Sequence, residues 1–192
     1  MVGKIRGSKQ GDYIMKIFDV HNVERDMAWL RAQYGNVRYL ESSDRVKFAL
    51  VEIHETIGPA VIKVQVLGLE GGPQVDQPVA NHWPDEGLPS LEGGGLKTKW
   101  HNRACVQRTN SNGYTGFGIG TGSYIDDLEV GGPHTIWVLS PSYPSDGLAG
   151  VGMLGGTNHA GPLFMVFQVV DGSGWLRLLL RRFLLWLLRL LR

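Results

Sequence analysis

Short runs rich in β-branched and aromatic residues, separated by clusters of glycine and proline, set the rhythm of this chain and restrict it to few architectures. Residues 46–54 (VKFALVEIH) and 60–69 (AVIKVQVLGL) are strand-like, and the second alternates cleanly at Val61, Lys63 and Gln65. Glu70-Gly71-Gly72-Pro73 is a turn cluster, and a long loop over 81–96 carries Pro84, Pro89 and three consecutive glycines. Residues 97–108 give a further extended run, 109–113 a turn, and 114–125 a glycine-rich strand pair or bulged strand. A strand follows at 134–139 (HTIWVL), then a loop holding Pro141, Pro144 and the glycines of 147–156, then a last core strand at 163–170 (LFMVFQVV). About seven strands with no helix between them predict an all-β, antiparallel sandwich over residues 37–170.

Composition agrees with that reading. The 27 glycines among 192 residues supply turns, and a hydrophobic content of 43% is enough for a core. Ahead of the strands, residues 1–18 read as a flexible leader and 19–36 as a short amphipathic helix. In the helix Val23, Met27, Leu30 and Tyr34 recur at helical spacing, Asp19 or Asn22 can cap the start, and Gly35-Asn36 can end it. Residues 171–174 (DGSG) form a flexible joint. Cys105 is the only cysteine, which rules out an internal disulfide, and its apolar neighbours suit a buried small hydrophobe. The opening residues are polar and show no signal-peptide pattern.

The most legible segment is 175–192, WLRLLLRRFLLWLLRLLR. At about 100° per residue, Arg177, Arg181, Arg182, Arg189 and Arg192 fall within roughly 140° of one another, and leucines with Phe183 and Trp186 fill the remainder. Without those five arginines the chain has 14 basic against 18 acidic residues, a net charge of −4. An acidic body with a cationic leucine-rich tail argues against nucleic acid as a partner, which requires a basic face on the folded domain. The tail must cover its apolar face with an anionic lipid interface, with copies of itself, or with its own body. Trp175, Trp186, the preference for arginine and the absence of acids favour the interface. Leucine in nearly every apolar position favours self-association, and an added tag after the joint is a further reading. Arg181, Arg182 and Arg189 within the segment argue against a span.

Residues 60–139 hold a recognisable order of pieces: Val64-Gln-Val66, Gly72-Pro73, Gln77-Pro78-Val79, then Thr109-Asn-Ser-Asn-Gly113 with Phe117, then Gly132-Pro-His-Thr-Ile-Trp137-Val138. This order resembles the prealbumin-like, or carboxypeptidase-regulatory-like, immunoglobulin-type sandwich modules. The resemblance implies that the polar-glycine turn joins two strands and that Phe117 fills the core, with Asn110 where aspartate is more usual. The wider stretch 48–167 is similar to β-modules appended to bacterial and phage cell-wall-active or surface proteins, which are non-catalytic. Such a relationship implies a cell-surface, secreted or virion-associated setting.

Several constellations carry possible chemistry. His82-Trp83-Pro84-Asp85-Glu86 with Trp100-His101 gathers indoles, imidazoles and carboxylates around the long loop. Indole faces stack on sugar rings while carboxylates accept hydroxyl hydrogen bonds, so His82, Trp83, Asp85 and Trp100 are the candidate ligand contacts. The alternative is a loop pinned by buried tryptophans, and the cluster could also seed a metal site. Adjacent Asp85 and Glu86 do not supply the fixed carboxylate separation of glycoside hydrolysis.

Intradiol dioxygenases share the prealbumin-like sandwich and bind ferric iron through two tyrosines and two histidines. Tyr114, Tyr124, His134 and His159 occur in a suggestive order, but Ile136 stands where a second histidine is required. Gly150-Val-Gly152-Met-Leu-Gly155 matches a dinucleotide fingerprint only in letters, because no strand-to-helix context surrounds it.

The expectation is therefore a non-catalytic binding or structural module with no cofactor and no metal. Its sandwich recognises a carbohydrate or surface protein, and its tail, through Trp175, Phe183, Trp186 and the arginines, meets an anionic membrane or other copies. A membrane-active effector is the runner-up and a metal-dependent enzyme the third reading.

Overall fold

The computed structural model describes residues 14–35, 37–58, 61–82, 105–118, 134–151 and 163–172. In chain order these form β1 (Lys16–Phe18), β2 (Glu24–Arg25), α1 (Met27–Tyr34), β3 (Arg38–Leu40), β4 (Val46–Glu55), β5 (Val61–Leu67), β6 (Pro78–His82), β7 (Cys105–Arg108), β8 (Tyr114–Gly118), β9 (His134–Val138), β10 (Gly147–Val151) and β11 (Leu163–Asp171). One sheet has the order β2-β1-β4-β11-β5-β8 and the other β3-β10-β9-β6-β7. A single core lies between them, built from Phe48, Leu50, Ile53, Ile62, Val64, Phe117, Met165 and Phe167 of the first sheet and Val79, Ile136, Val138, Leu148 and Val151 of the second. The all-β expectation holds.

The expectation of purely antiparallel pairing does not. β1 runs parallel to β4, and β5 runs parallel to β11. Parallel neighbours need a long connection, and both have one. Between β5 and β11 the chain visits the second sheet, and between β1 and β4 it makes a hairpin, the helix and β3.

Core spacing within β4 explains a local irregularity. Phe48, Leu50 and Ile53 all point inward, a step of two followed by a step of three. A regular strand would turn Ile53 to the outside. The register against β11 therefore jumps, pairing Val166 with Glu52 and Phe167 with Leu50, and the extra residue re-phases the strand. β10 uses the same device: Leu148 and Val151 are both fully buried, and the register shifts between Ala149 and Val151 at Gly150, whose φ is 79°. Residues 147–151, expected within a loop, thus form a buried strand. Their glycines and alanine hid the pattern.

The amino-terminal expectations also need correction. Residues 16–18 are not leader but strand β1, paired on both sides. The helix starts at Met27, capped by Asp26, whose side chain accepts the Trp29 N–H at 2.8 Å. Asp19 and Asn22 instead build the β1–β2 hairpin. Asp171, expected in the joint, closes β11 opposite Val46. Gly35 ends the helix with φ 77°, as expected. Leu30 and Tyr34 enter the core, and the Tyr34 hydroxyl donates to Glu55 at 2.8 Å. Helix α1 lies on the connection from the edge strand β2 of one sheet to the edge strand β3 of the other. Across the body, the turn 109–113 joins the other two edge strands, β7 and β8. Each margin of the body is thereby crossed by a short covalent link.

Asp19 makes the hairpin sensitive to acid. Its buried carboxylate accepts the N–H groups of Val23 and His21, each at 2.9 Å, and pairs with the Arg25 guanidinium at 2.6 Å. The Val23 amide foremost, with Arg25 and His21, holds this carboxyl below its ordinary value of 3.8, against the opposing effect of burial. A depressed folded pKa adds stability that is present above 3.8 and disappears as pH falls through the folded value. Asp19→Asn is expected to unfold at lower urea than the wild type at neutral pH, with the gap closing below 3.8. A gap that persists unchanged into strong acid would show that the charge is not what matters.

Candidate functional site

His82 is the last residue of β6, paired in register with Thr135 of β9. Its side chain, and all of Trp83, Asp85 and Trp100, lie outside the described residues, as do residues 175–192. The strands on either side of residues 83–104 fix where that segment begins and ends. β6 ends at His82 and β7 begins at Cys105, and Asn81 pairs with Cys105. β10 ends at Val151 beside His134, the first residue of β9. In the other sheet β8 ends at Gly118 beside Val61, and β11 begins at Leu163 beside Glu55. The tight turn 109–113 puts the end of β7 and the start of β8 together, so the opposite ends of those strands also share one end of the body. Segments 83–104, 119–133 and 152–162 therefore all leave from and return to that end.

A buried polar pair closes the core there. Asn81 and His134 alternate onto the same side as Val79, Ile136 and Val138, and are 4% and 1% exposed. His134 Nδ1 lies 2.9 Å from Asn81 Oδ1, so Nδ1–H donates to the amide oxygen. Thr135, on the other face of β9, is fully buried, and its hydroxyl has no hydrogen-bond partner among the described residues.

A second feature was not anticipated from sequence. The outer face of the six-stranded sheet carries a row of rings across its strands. Register aligns Phe18, His54, Phe164, Lys63 and Gly116 on β1, β4, β11, β5 and β8. Phe18 stacks on His54 with centroids 4.8 Å apart, His54 lies 5.7 Å from Phe164, and Tyr114 reaches over β5 to stack on Phe164 at 6.0 Å. Small interplanar angles of 21°, 32° and 28° turn the rings toward one another, so the inner rings present their edges. Tyr114 ends the row and is 41% exposed. The Glu52 carboxylate fixes His54 through Nε2 at 2.9 Å. Lys63, Gln65 and the Tyr114 hydroxyl make no side-chain hydrogen bond among the described residues. Beyond Tyr114 the outward positions of β8 are Gly116 and Gly118, both exposed. The signal that could have revealed the row is Phe164: alternation from the core residue Met165 places it outside, but the unbroken apolar run at 163–167 concealed its face.

The chemistry considered from sequence is narrowed. Tyr114 stands on an outward face of one sheet and His134 is buried in the other, so a single ferric ion cannot take both as ligands. Gly150 of the G-x-G-x-x-G letters is the bulge within β10. Among the described residues no group of three or more His, Cys, Asp or Glu side chains could hold a metal, and no helix is long and apolar enough to cross a membrane. No family model, curated protein or solved structure matches the chain.

Proposed function

We propose that this protein is a non-catalytic binding module of the immunoglobulin- or prealbumin-like sandwich type, working at a cell surface, in secretion or on a virion. The end of the body from which residues 83–104 depart recognises a carbohydrate or a surface protein, and residues 175–192 attach the protein to an anionic membrane or to other copies. The observation that carries the reading is the rooting of three long segments at one end of a two-sheet body. Binding residues concentrate on loops that a rigid scaffold positions. The first segment, 83–104, holds Trp83, Asp85 and Trp100 and starts beside His82. The resemblance to prealbumin-like modules has further support in the 109–113 turn, which joins two strands, and in Phe117, which is 4% exposed in the core. The parallel β5–β11 pair is a feature such a module has to accommodate through its long connection.

An oligosaccharide array, spanning neutral, N-acetylated and acidic chains and read with the full chain, tests the carbohydrate branch. Trp83→Ala with Trp100→Ala is expected to weaken the strongest response at least tenfold, about 1.4 kcal/mol. Leakage of anionic vesicles on adding the full chain, with no array response and no protein ligand, would replace this reading with the membrane-active one.

A further inference from the structure

We propose that the outer face of the six-stranded sheet is a second binding surface, taking a pyranose chain that stacks on the uncovered face of Tyr114 over β8 and continues along the ring edges of β11 and β4. The inference rests on the carbohydrate reading above but places a site where none was expected. An outward sheet face in water is ordinarily polar, one residue in two. Here Phe18, Phe164 and Tyr114 occupy such positions, although the core is already filled by other residues.

Between and beside the rings stand groups whose hydrogen-bonding capacity is unused among the described residues. They are the Lys63 ammonium, the Gln65 amide, the Tyr114 hydroxyl and the second oxygen of Glu52. A pyranose ring has the complementary character, with C–H faces that stack on an aromatic and a rim of hydroxyls that both donate and accept.

Other occupants fit less well. The interleaved charges of Lys63 and Glu52 oppose an acyl chain. An added peptide strand pairs along an open sheet edge, here the outer side of β8, and would not lie over the rings of β4 and β11, which are paired on both sides.

The shape agrees. Tyr114 has one ring face against Phe164, and no ring covers the other among the described residues. Next to it β8 offers a shelf of bare backbone at Gly118, where a Cβ would meet nothing within 4 Å, while at Gly116 Val61 Cγ1 comes within 3.3 Å of that position. A sugar can therefore approach the strand closely while stacking on Tyr114. With adjacent strands about 4.8 Å apart, the four strands from β4 to β8 span about 14 Å, room for about three rings of a chain.

The same array decides the matter, followed by titration of its strongest oligosaccharide into the full chain. Tyr114→Ala is expected to weaken binding at least fivefold. Gly118→Val, which fills the shelf at a position with ordinary φ, should do the same, and Lys63→Ala with Gln65→Ala should add to the loss. Both Tyr114→Ala and Gly118→Val lie on the exposed face, and thermal unfolding near the wild-type midpoint confirms that the fold is intact. Unchanged affinity in these folded variants, with loss confined to the Trp83/Trp100 variant, would overturn the sheet-face site and leave the carbohydrate reading standing. No array response from the wild-type chain would overturn both.

Discussion

Asp146→Ala is expected to lower the unfolding free energy by about 3–5 kcal/mol, the cost typical of removing one partner from a buried charged network. Asp146 is fully buried just before β10. Its carboxylate accepts the Tyr39 hydroxyl at 2.6 Å and the N–H groups of Ser42 at 2.9 Å and Leu50 at 3.2 Å, and Lys47 Nζ lies 2.9 Å away. Those partners belong to β3, the β3–β4 connection and β4, so one carboxylate ties the second sheet to the first. The backbone reinforces the tie: Asp146 N–H donates to the Phe48 carbonyl at 2.8 Å, and Phe48 N–H donates to the Pro144 carbonyl at 2.9 Å. Burial, with the Asp146 charge beside it, pushes the Tyr39 hydroxyl well above its ordinary range, which keeps it a donor.

Alanine would strand a phenol and two amides together, and would leave the half-buried Lys47 ammonium with only the Ser42 carbonyl and Glu41. Tyr39→Phe removes one donor and leaves the carboxylate with three partners, so about 1 kcal/mol is expected there. Urea unfolding of the two variants measures the difference. Equal losses would mean that the Tyr39 contact, not the hub, is what holds the sheets.

Nothing local in the sequence announced that hub. Pro144-Ser-Asp-Gly147 reads as a turn, and Tyr39 and Ser42 lie about a hundred residues away. What was legible was whatever a short window contains. β4, β5, β9 and β11 stood out because their runs of valine, isoleucine and phenylalanine suit a pleated, half-buried surface. Gly35 announced the end of the helix. The start was misplaced because two aspartates and an asparagine precede it, and each suits a turn as well as a cap. β10 escaped because Gly-Leu-Ala-Gly-Val carries little side-chain signal, and its strand character comes from β3 and β9 on either side.

The same distinction separates the two candidate sites. His82, Trp83 and Asp85 are neighbours in sequence and could be read as a group. The row of Phe18, His54, Phe164 and Tyr114 is assembled by register from four strands, and the parallel pairings that set part of that register leave no mark on any one of them.

The 109–113 turn, where one edge of each sheet meets the other, should be the next most sensitive position. Gly113→Ala is expected to cost about 2–3 kcal/mol, from a left-handed residue gaining a Cβ and from backbone displaced to admit it. Gly113 has φ 75°, and an added Cβ would sit 2.6 Å from the Val66 carbonyl oxygen and 3.1 Å from Pro73 Cβ. That oxygen cannot simply move, because it accepts the Gln74 N–H at 2.9 Å while Val66 N–H donates to the Gly113 carbonyl at 2.9 Å.

Two further substitutions separate the causes. Asn tolerates the left-handed region, so Gly113→Asn would recover most of the loss if φ alone mattered; the contact with Val66 predicts little recovery. Asn110→Asp should be within about 0.5 kcal/mol of the wild type. Its side-chain oxygen accepts the N–H groups of Asn112 at 2.9 Å and Tyr114 at 3.1 Å, a role either residue fills. Tyr114 follows this turn directly, so a Gly113 variant that stays folded should also shift the ring that ends the outer row, weakening the oligosaccharide response as Tyr114→Ala does. A folded Gly113→Ala protein with wild-type binding would mean that the ring is positioned by Phe164 and not by the turn.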